Sequence, residues 1–228
     1  MTSIHSIIPN QAKVLMLAQR ELAVYVYDAV QLEGINYTLP EIQTLLQGIT
    51  VGGHKLTDQK IALNQANAWK FLFNSIKEDT FSVAAEYTFQ LHSIAAKEEA
   101  LEWGQFRTGN VTIAGTNYMP PYFKSLPECF NNMLTEIESV ESIYDKAISL
   151  FLLFARNQFF YDVNKRMGRF MMNGLLLNKG YPAINLPAKR QLEFNQLMLD
   201  FYQSNNKTAM IEFMKSCLDQ RLIKIMSE

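Results

Sequence analysis

Between Ile143 and Phe154 the chain sets Ile143, Ala147, Leu150, Phe151 and Phe154 at three- and four-residue steps, with Leu152 and Leu153 filling the remaining sides. A helix that is apolar around most of its circumference has to be enclosed by other apolar faces. This segment therefore predicts a mainly helical body with one helix near its centre.

The rest of the chain supplies the enclosing helices. Val14, Leu17, Ala18 and the run from Glu21 to Val26 begin a helix over about 11 to 33, ending at Gly34, a natural C-terminal stop. Thr38-Leu39-Pro40-Glu41 and Ser125-Leu126-Pro127-Glu128 both match the capping box, with Pro in the first turn, and predict helices near 39 to 47 and 126 to 138. Ile61, Ala62, Ala66, Trp69, Phe73 and Ile76 form an amphipathic stripe between Thr57 and Lys77, and Trp69, Phe71 and Phe73 read as core. Further helices are expected over 81 to 95, through 170 to 177, and from 207 to 224. Between them, residues 104 to 121 carry Gly104, Gly109 and Gly115, an alternating Val111-Thr112-Ile113, and a Pro-Pro end, which reads as a short β-hairpin or flap.

With 48% hydrophobic and 19% charged residues in 228, a sizeable core is within reach, and no linker or repeat divides the chain, so one domain is the simpler division. The formal charge of -1 gives no basic field for nucleic acid. No apolar run is long enough to span a membrane and no leader is evident, so a cytoplasmic protein is expected. Cys129 and Cys217 have no metal-ligand spacing and read as reduced thiols.

Immediately after the apolar helix comes QFFYDVNKRMGR, residues 158 to 169. A helix beginning here offers unpaired N–H groups and a positive dipole end. Arg166 and Arg169, three apart, share a face and could grip a polyphosphate, while Asp162 supplies a hard oxygen for Mg²⁺. The other reading of the same residues is a solvated helix start with Asp162 as N-cap.

The stretch resembles the signature of the Fic (filamentation induced by cAMP) family, His-x-Phe-x-Asp/Glu-Gly-Asn-Gly/Lys-Arg-x-x-Arg, at Phe160, Asp162, Asn164, Lys165, Arg166 and Arg169. Segments 32 to 42, 49 to 58 and 104 to 115 resemble that family's inhibitory helix, connecting segment and flap, in the expected order. The resemblance implies a Fic fold over 1 to 228, with an inhibitory region at 1 to 37, a flap at 104 to 121 and the motif at 158 to 169. It also implies AMP transfer from ATP to a hydroxyl side chain of a target protein. Asp162 would hold Mg²⁺, Asn164 and Lys165 would lie against phosphate, and Arg166 with Arg169 would bind the outer phosphates. Glu33 would pair with Arg169 in autoinhibition, and the flap would align an extended target segment by strand pairing.

The chain departs from the pattern at three places. Gln158 stands at the family's His position, and a carboxamide cannot serve as general base. Val163 stands at the first motif Gly, where φ > 0 would suit a β-branched residue poorly. Ala29 replaces the hydroxyl residue of the inhibitory pattern that ends in Glu33-Gly34. Of the histidines His5, His54 and His92, each reads as structural. Trp103 and Tyr118 flank the flap and Arg107 lies within it; each is open to contact with a partner. The expectation is therefore a Fic-type adenylyltransferase with weak or absent transfer. Two alternatives stand beside it: a non-catalytic nucleotide- or protein-binding module, and a Fic-fold enzyme using another donor or acting in reverse. A homo-oligomer is compatible with either.

Overall fold

A computed structural model describes residues 4–228. Eleven α-helices are found among them: α1 (Gln11–Arg20), α2 (Leu22–Leu32), α3 (Leu39–Leu46), α4 (Leu56–Lys77), α5 (Ala85–Ala95), α6 (Leu126–Glu138), α7 (Ile143–Asn157), α8 (Asn164–Asn178), α9 (Gln191–Ser204), α10 (Thr208–Ser216) and α11 (Gln220–Met226). The apolar helix α7 is indeed central: from Ala147 to Ala155 every residue is buried. Its main neighbour is α8, and α4, α5 and α1 pack on the other sides of α8. Close approach of α7 and α8 depends on Gly168, where an added Cβ would stand 2.7 Å from the Phe151 carbonyl oxygen.

Local signals set most helix ends. Thr38 accepts from the Glu41 N–H, and the Glu41 carboxylate accepts from the Thr38 N–H at 2.7 Å, completing the box. The second box does not form. Ser125 lies in a 3-10 turn over Phe123–Ser125 with helical backbone angles, and its hydroxyl donates back to the Tyr122 carbonyl at 2.8 Å. Gly34, at φ +77°, ends α2, with the Ile35 N–H returning to the Val30 carbonyl as in a Schellman turn.

Three expectations need revision. The first helix is two, bent at Glu21. The last is also two, because Asp219 caps a new start by accepting from the Arg221 N–H. Helix α9 was not anticipated, although Phe194, Met198, Phe201 and Tyr202 bury one face at helical spacing.

The flap is not a β-hairpin: no strand occurs among the described residues. Its side chains do alternate, with Val111 and Ile113 half-buried and Thr112 and Ala114 exposed, so the chain is extended. What is missing is the ladder. The two ends of the flap are tied instead by one side chain, since Arg107 donates to the Gly109 carbonyl at 2.6 Å and the Pro121 carbonyl at 2.5 Å. No helix is long and apolar enough to cross a membrane among the described residues.

Candidate functional site

The turn between α7 and α8 is built from two left-handed residues. Gln158 ends α7 at φ +49°, and Val163 precedes α8 at φ +66°. The buried rings of Phe159 and Phe160 anchor the turn, the first among Phe106, Phe130 and Phe154, the second against Phe106, Phe89 and His92. Asn164 locks it internally: its side-chain oxygen accepts from the Phe160 N–H at 2.9 Å and its amide donates to the Phe160 carbonyl at 2.8 Å. The same amide donates to Gln158 Oε1 at 3.1 Å. Gln158 in turn donates to the Ala155 carbonyl at 2.6 Å, so both ends of its carboxamide are engaged.

Around this turn lies a cleft of about 70 Å³ lined by Glu33, Gln158, Asp162, Val163, Asn164, Lys165 and Arg166. Six of the seven residues singled out from the sequence thus meet in one place. Asp162 is exposed, and one of its oxygens accepts from the Val163 N–H at 2.6 Å. Lys165 is exposed on the rim. Val163 is buried, with the strained backbone that its β-branched side chain implied.

Arg166 is buried and held by two carboxylates. Glu99, just beyond α5, takes both Nη atoms, Nη1 at 2.8 Å, and Glu33 lies 3.3 Å from Nε. The Glu33–Arg169 pair expected from the resemblance is therefore not the one formed. Arg169 lies one turn further along α8 and is turned beneath α2, into an inner cavity and out of the cleft. It makes no ion pair within 4 Å among the described residues. Burial lowers its pKa to about 10, against the opposing field of Glu33, and it remains a cation at neutral pH. The two guanidinium groups do not grip a common point in this arrangement.

Three supporting residues were not assigned these roles from the sequence. Recognising Glu99 would have required knowing that the segment after α5 folds back on α8.

 Its position is supplied by tertiary folding alone. His92 accepts from the Gly104 N–H at Nδ1, 3.1 Å, which leaves Nε2 to donate to the Asp162 carbonyl at 3.4 Å, while the ring stacks on Phe160 at 3.7 Å. It clips α5, the flap root and the motif turn together, a structural role as its sequence setting suggested. Burial depresses its pKa to about 4, so it is neutral. Arg107 is neither a solvated hairpin charge nor a free contact: it is 2% exposed, and its Nε donates to the Gln158 carbonyl at 2.6 Å. Tyr118 is packed, with Arg156 3.9 Å over its ring and Tyr202 stacked beside it, whereas Trp103 is exposed. His54 stacks on Tyr37 and bonds Glu41, away from the cleft.

Residues 80–176 match the model of the Fic/DOC family. Proteins named protein adenylyltransferase Fic from Drosophila mojavensis and Drosophila grimshawi are each 22% identical over 205 residues, 87% of this chain. The chain spans only about two fifths of those relatives, 40% and 41% of their lengths. Among solved structures, a Fic domain containing signaling protein from Bacteroides thetaiotaomicron superposes with a TM-score of 0.78 at 16% identity, covering 97% of this chain and 90% of that one. A Fic family protein from Desulfovibrio desulfuricans G20 gives 0.75 at 19% identity, over 90% of this chain and 64% of its own. Fic-1 (aa134 - 508) from C. elegans gives 0.77 at 18% identity, over 90% of this chain and 63% of its own.

Proposed function

We propose that the cleft binds ATP with Mg²⁺ and that the protein is a Fic-type adenylyltransferase whose transfer of AMP to a target hydroxyl is slow. The observation that carries this reading is the convergence of Asp162, Asn164, Lys165 and Arg166 on one cleft at the start of α8. The names of the relatives point the same way. Asp162 suits Mg²⁺, which is commonly held by one or two carboxylates together with substrate phosphates and water. One of its oxygens is used by the Val163 N–H, and the residue is exposed at the cleft. When bound, the ion supplies charge neutralisation at the phosphates.

The chain's own residues do the rest. The first N–H groups of α8, in a turn that the Asn164 side chain holds in shape, would face the phosphates, and Lys165 adds an exposed cation at the rim. Arg166 is available to phosphate only by exchanging a carboxylate partner, and Arg169 only after Glu33 and α2 yield. Both requirements support autoinhibition by α2. Gln158 has no basic atom, and its carboxamide is already engaged at both ends. Loss of a general base typically costs about 10² to 10⁴ in rate. An extended target segment would pair with residues 111 to 117, which make no backbone–backbone hydrogen bonds among the described residues.

Transfer of label from α-labelled ATP tests this with the native chain, Glu33→Gly, and Glu33→Gly combined with Gln158→His. The expected outcome is strong transfer only in the double variant. Transfer already at full rate in Glu33→Gly would refute the role assigned to Gln158. No ATP binding by any variant in calorimetry would refute the nucleotide site and favour a non-catalytic partner-binding protein.

A further inference from the structure

A larger cavity lies where the α1–α2 bend at Glu21 meets the segment 183–187 and the start of α11. Its volume is about 220 Å³, and none of its lining residues borders the motif cleft. Val24, Ala183, Pro187 and Leu222 give it apolar walls.

Three polar groups at this cavity are uncommitted among the described residues. Glu21 is half-buried, and its carboxylate makes no hydrogen bond and no ion pair. Asn185 spends its amide nitrogen on Asp28, which leaves Oδ1 as an open acceptor. Tyr25 is 5% exposed, and its hydroxyl has no hydrogen-bond partner. Side chains on a helix lean toward its N-terminus, so that hydroxyl lies one turn back, toward Glu21. Burial pushes the Tyr25 pKa up, and the fields of Glu21 and Asp219, which both border the cavity, push the same way.

The cations beside the cavity have carboxylates of their own. Arg221 is held by Asp219, with Nη2 at 2.5 Å, and Arg190, which donates to the Cys217 sulfur in the wall, is held by Glu193 at 2.9 Å. Glu21 is left as the unmatched charge. The cavity thus presents a carboxylate, an amide oxygen and a hydroxyl to its occupant, and a protonated primary amine carries three N–H donors, one for each. A bare metal ion would leave the four apolar walls uncovered, whereas an alkyl stem would cover them. At about 30 Å³ for each water-sized group, the space holds roughly seven.

We propose that this cavity binds a small primary alkylammonium ion, with its nitrogen among Glu21, Asn185 Oδ1 and the Tyr25 hydroxyl and its stem against Val24 and Leu222. The occupant ties the α1–α2 bend to α11. The site does not depend on the nucleotide reading.

The test uses the full chain, labelled with ¹⁵N, and follows its amide spectrum at pH 7 and constant ionic strength. Titration with n-butylammonium is expected to give saturable shifts confined to the residues around the cavity, with a Kd on the order of 1 mM. Butanol and butyrate, which keep the stem and change the head group, are expected to give none. Glu21→Gln, which keeps the size of the side chain, should weaken the amine by about tenfold, and Tyr25→Phe by about threefold. Equal shifts from butanol, unchanged affinity in Glu21→Gln, or shifts scattered over other acidic surfaces would overturn the proposal.

Discussion

At the level of single residues, Val163 and His92 carry the most information. Val163 adopts φ +66° and ψ 10°, a left-handed conformation that costs an L-residue with a Cβ about 1–2 kcal/mol. Burying its side chain returns a similar amount. Val163→Gly is therefore expected to leave the unfolding free energy within about 1 kcal/mol of the parent while opening the cleft. Calorimetry should show tighter ATP binding; weaker binding would mean that the valine supports the cleft and does not obstruct it.

His92 sets a pH limit. Its folded pKa of about 4 lies below the ordinary 6.5, because burial disfavours the charged ring. Its contribution is thus complete above pH 6.5 and is lost as pH falls from there toward 4. The shift corresponds to roughly 3 kcal/mol at the acid end. Urea unfolding of His92→Gln should show a shallower loss of stability across that window than the parent, and equal slopes would contradict the assignment.

Both residues illustrate how much was legible at this scale. The left-handed turn was foreseen at Val163, because the motif places a glycine there. The partners of Arg166 were not, because Glu99 lies 67 positions away and no local pattern links a carboxylate after one helix to a guanidinium on another.

At the level of elements, charge pairing and packing decide how the site is held. Arg166 has two carboxylate partners, so neither alone fixes it. Breaking a buried pair typically costs 3–5 kcal/mol, and with Glu33 remaining the loss in Glu99→Gln should lie near 3 kcal/mol by denaturant unfolding. A loss below about 1 kcal/mol would show that Glu33 suffices. The α7–α8 contact is less forgiving. Gly168→Ala would press a methyl group against the Phe151 carbonyl, and overpacking of this kind costs about 1–3 kcal/mol. The flap is the element that the sequence read in part. Its alternation gave an extended chain correctly, but pairing depends on where its carbonyls go, and Arg107 takes two of them.

For the whole molecule, the relation of α2 to the body is the main point. Tyr25, Val26 and Val30 are buried, and Tyr25 lies 4.8 Å from Trp69 of α4. At about 1.5–3 kcal/mol for each such side chain, their burial is comparable with the net stability of an ordinary domain. Deleting residues 1 to 37 should therefore lower the melting temperature sharply or cause aggregation, measured by calorimetry and light scattering. A monomeric deletion variant with unchanged melting would show instead that α2 is a detachable lid.

The sequence by itself determined the helical class, the central position of α7, the capping of α3, and the gathering of the motif residues at the start of α8. These follow from periodicity and short-range chemistry, which act within a few residues. Only the tertiary structure decided that Glu33 meets Arg166, that Arg169 turns inward, that Glu99 and His92 brace the site, and that the flap stays unpaired. Each of those outcomes depends on which groups distant in the chain come within hydrogen-bonding distance, and that is set by how the helices pack.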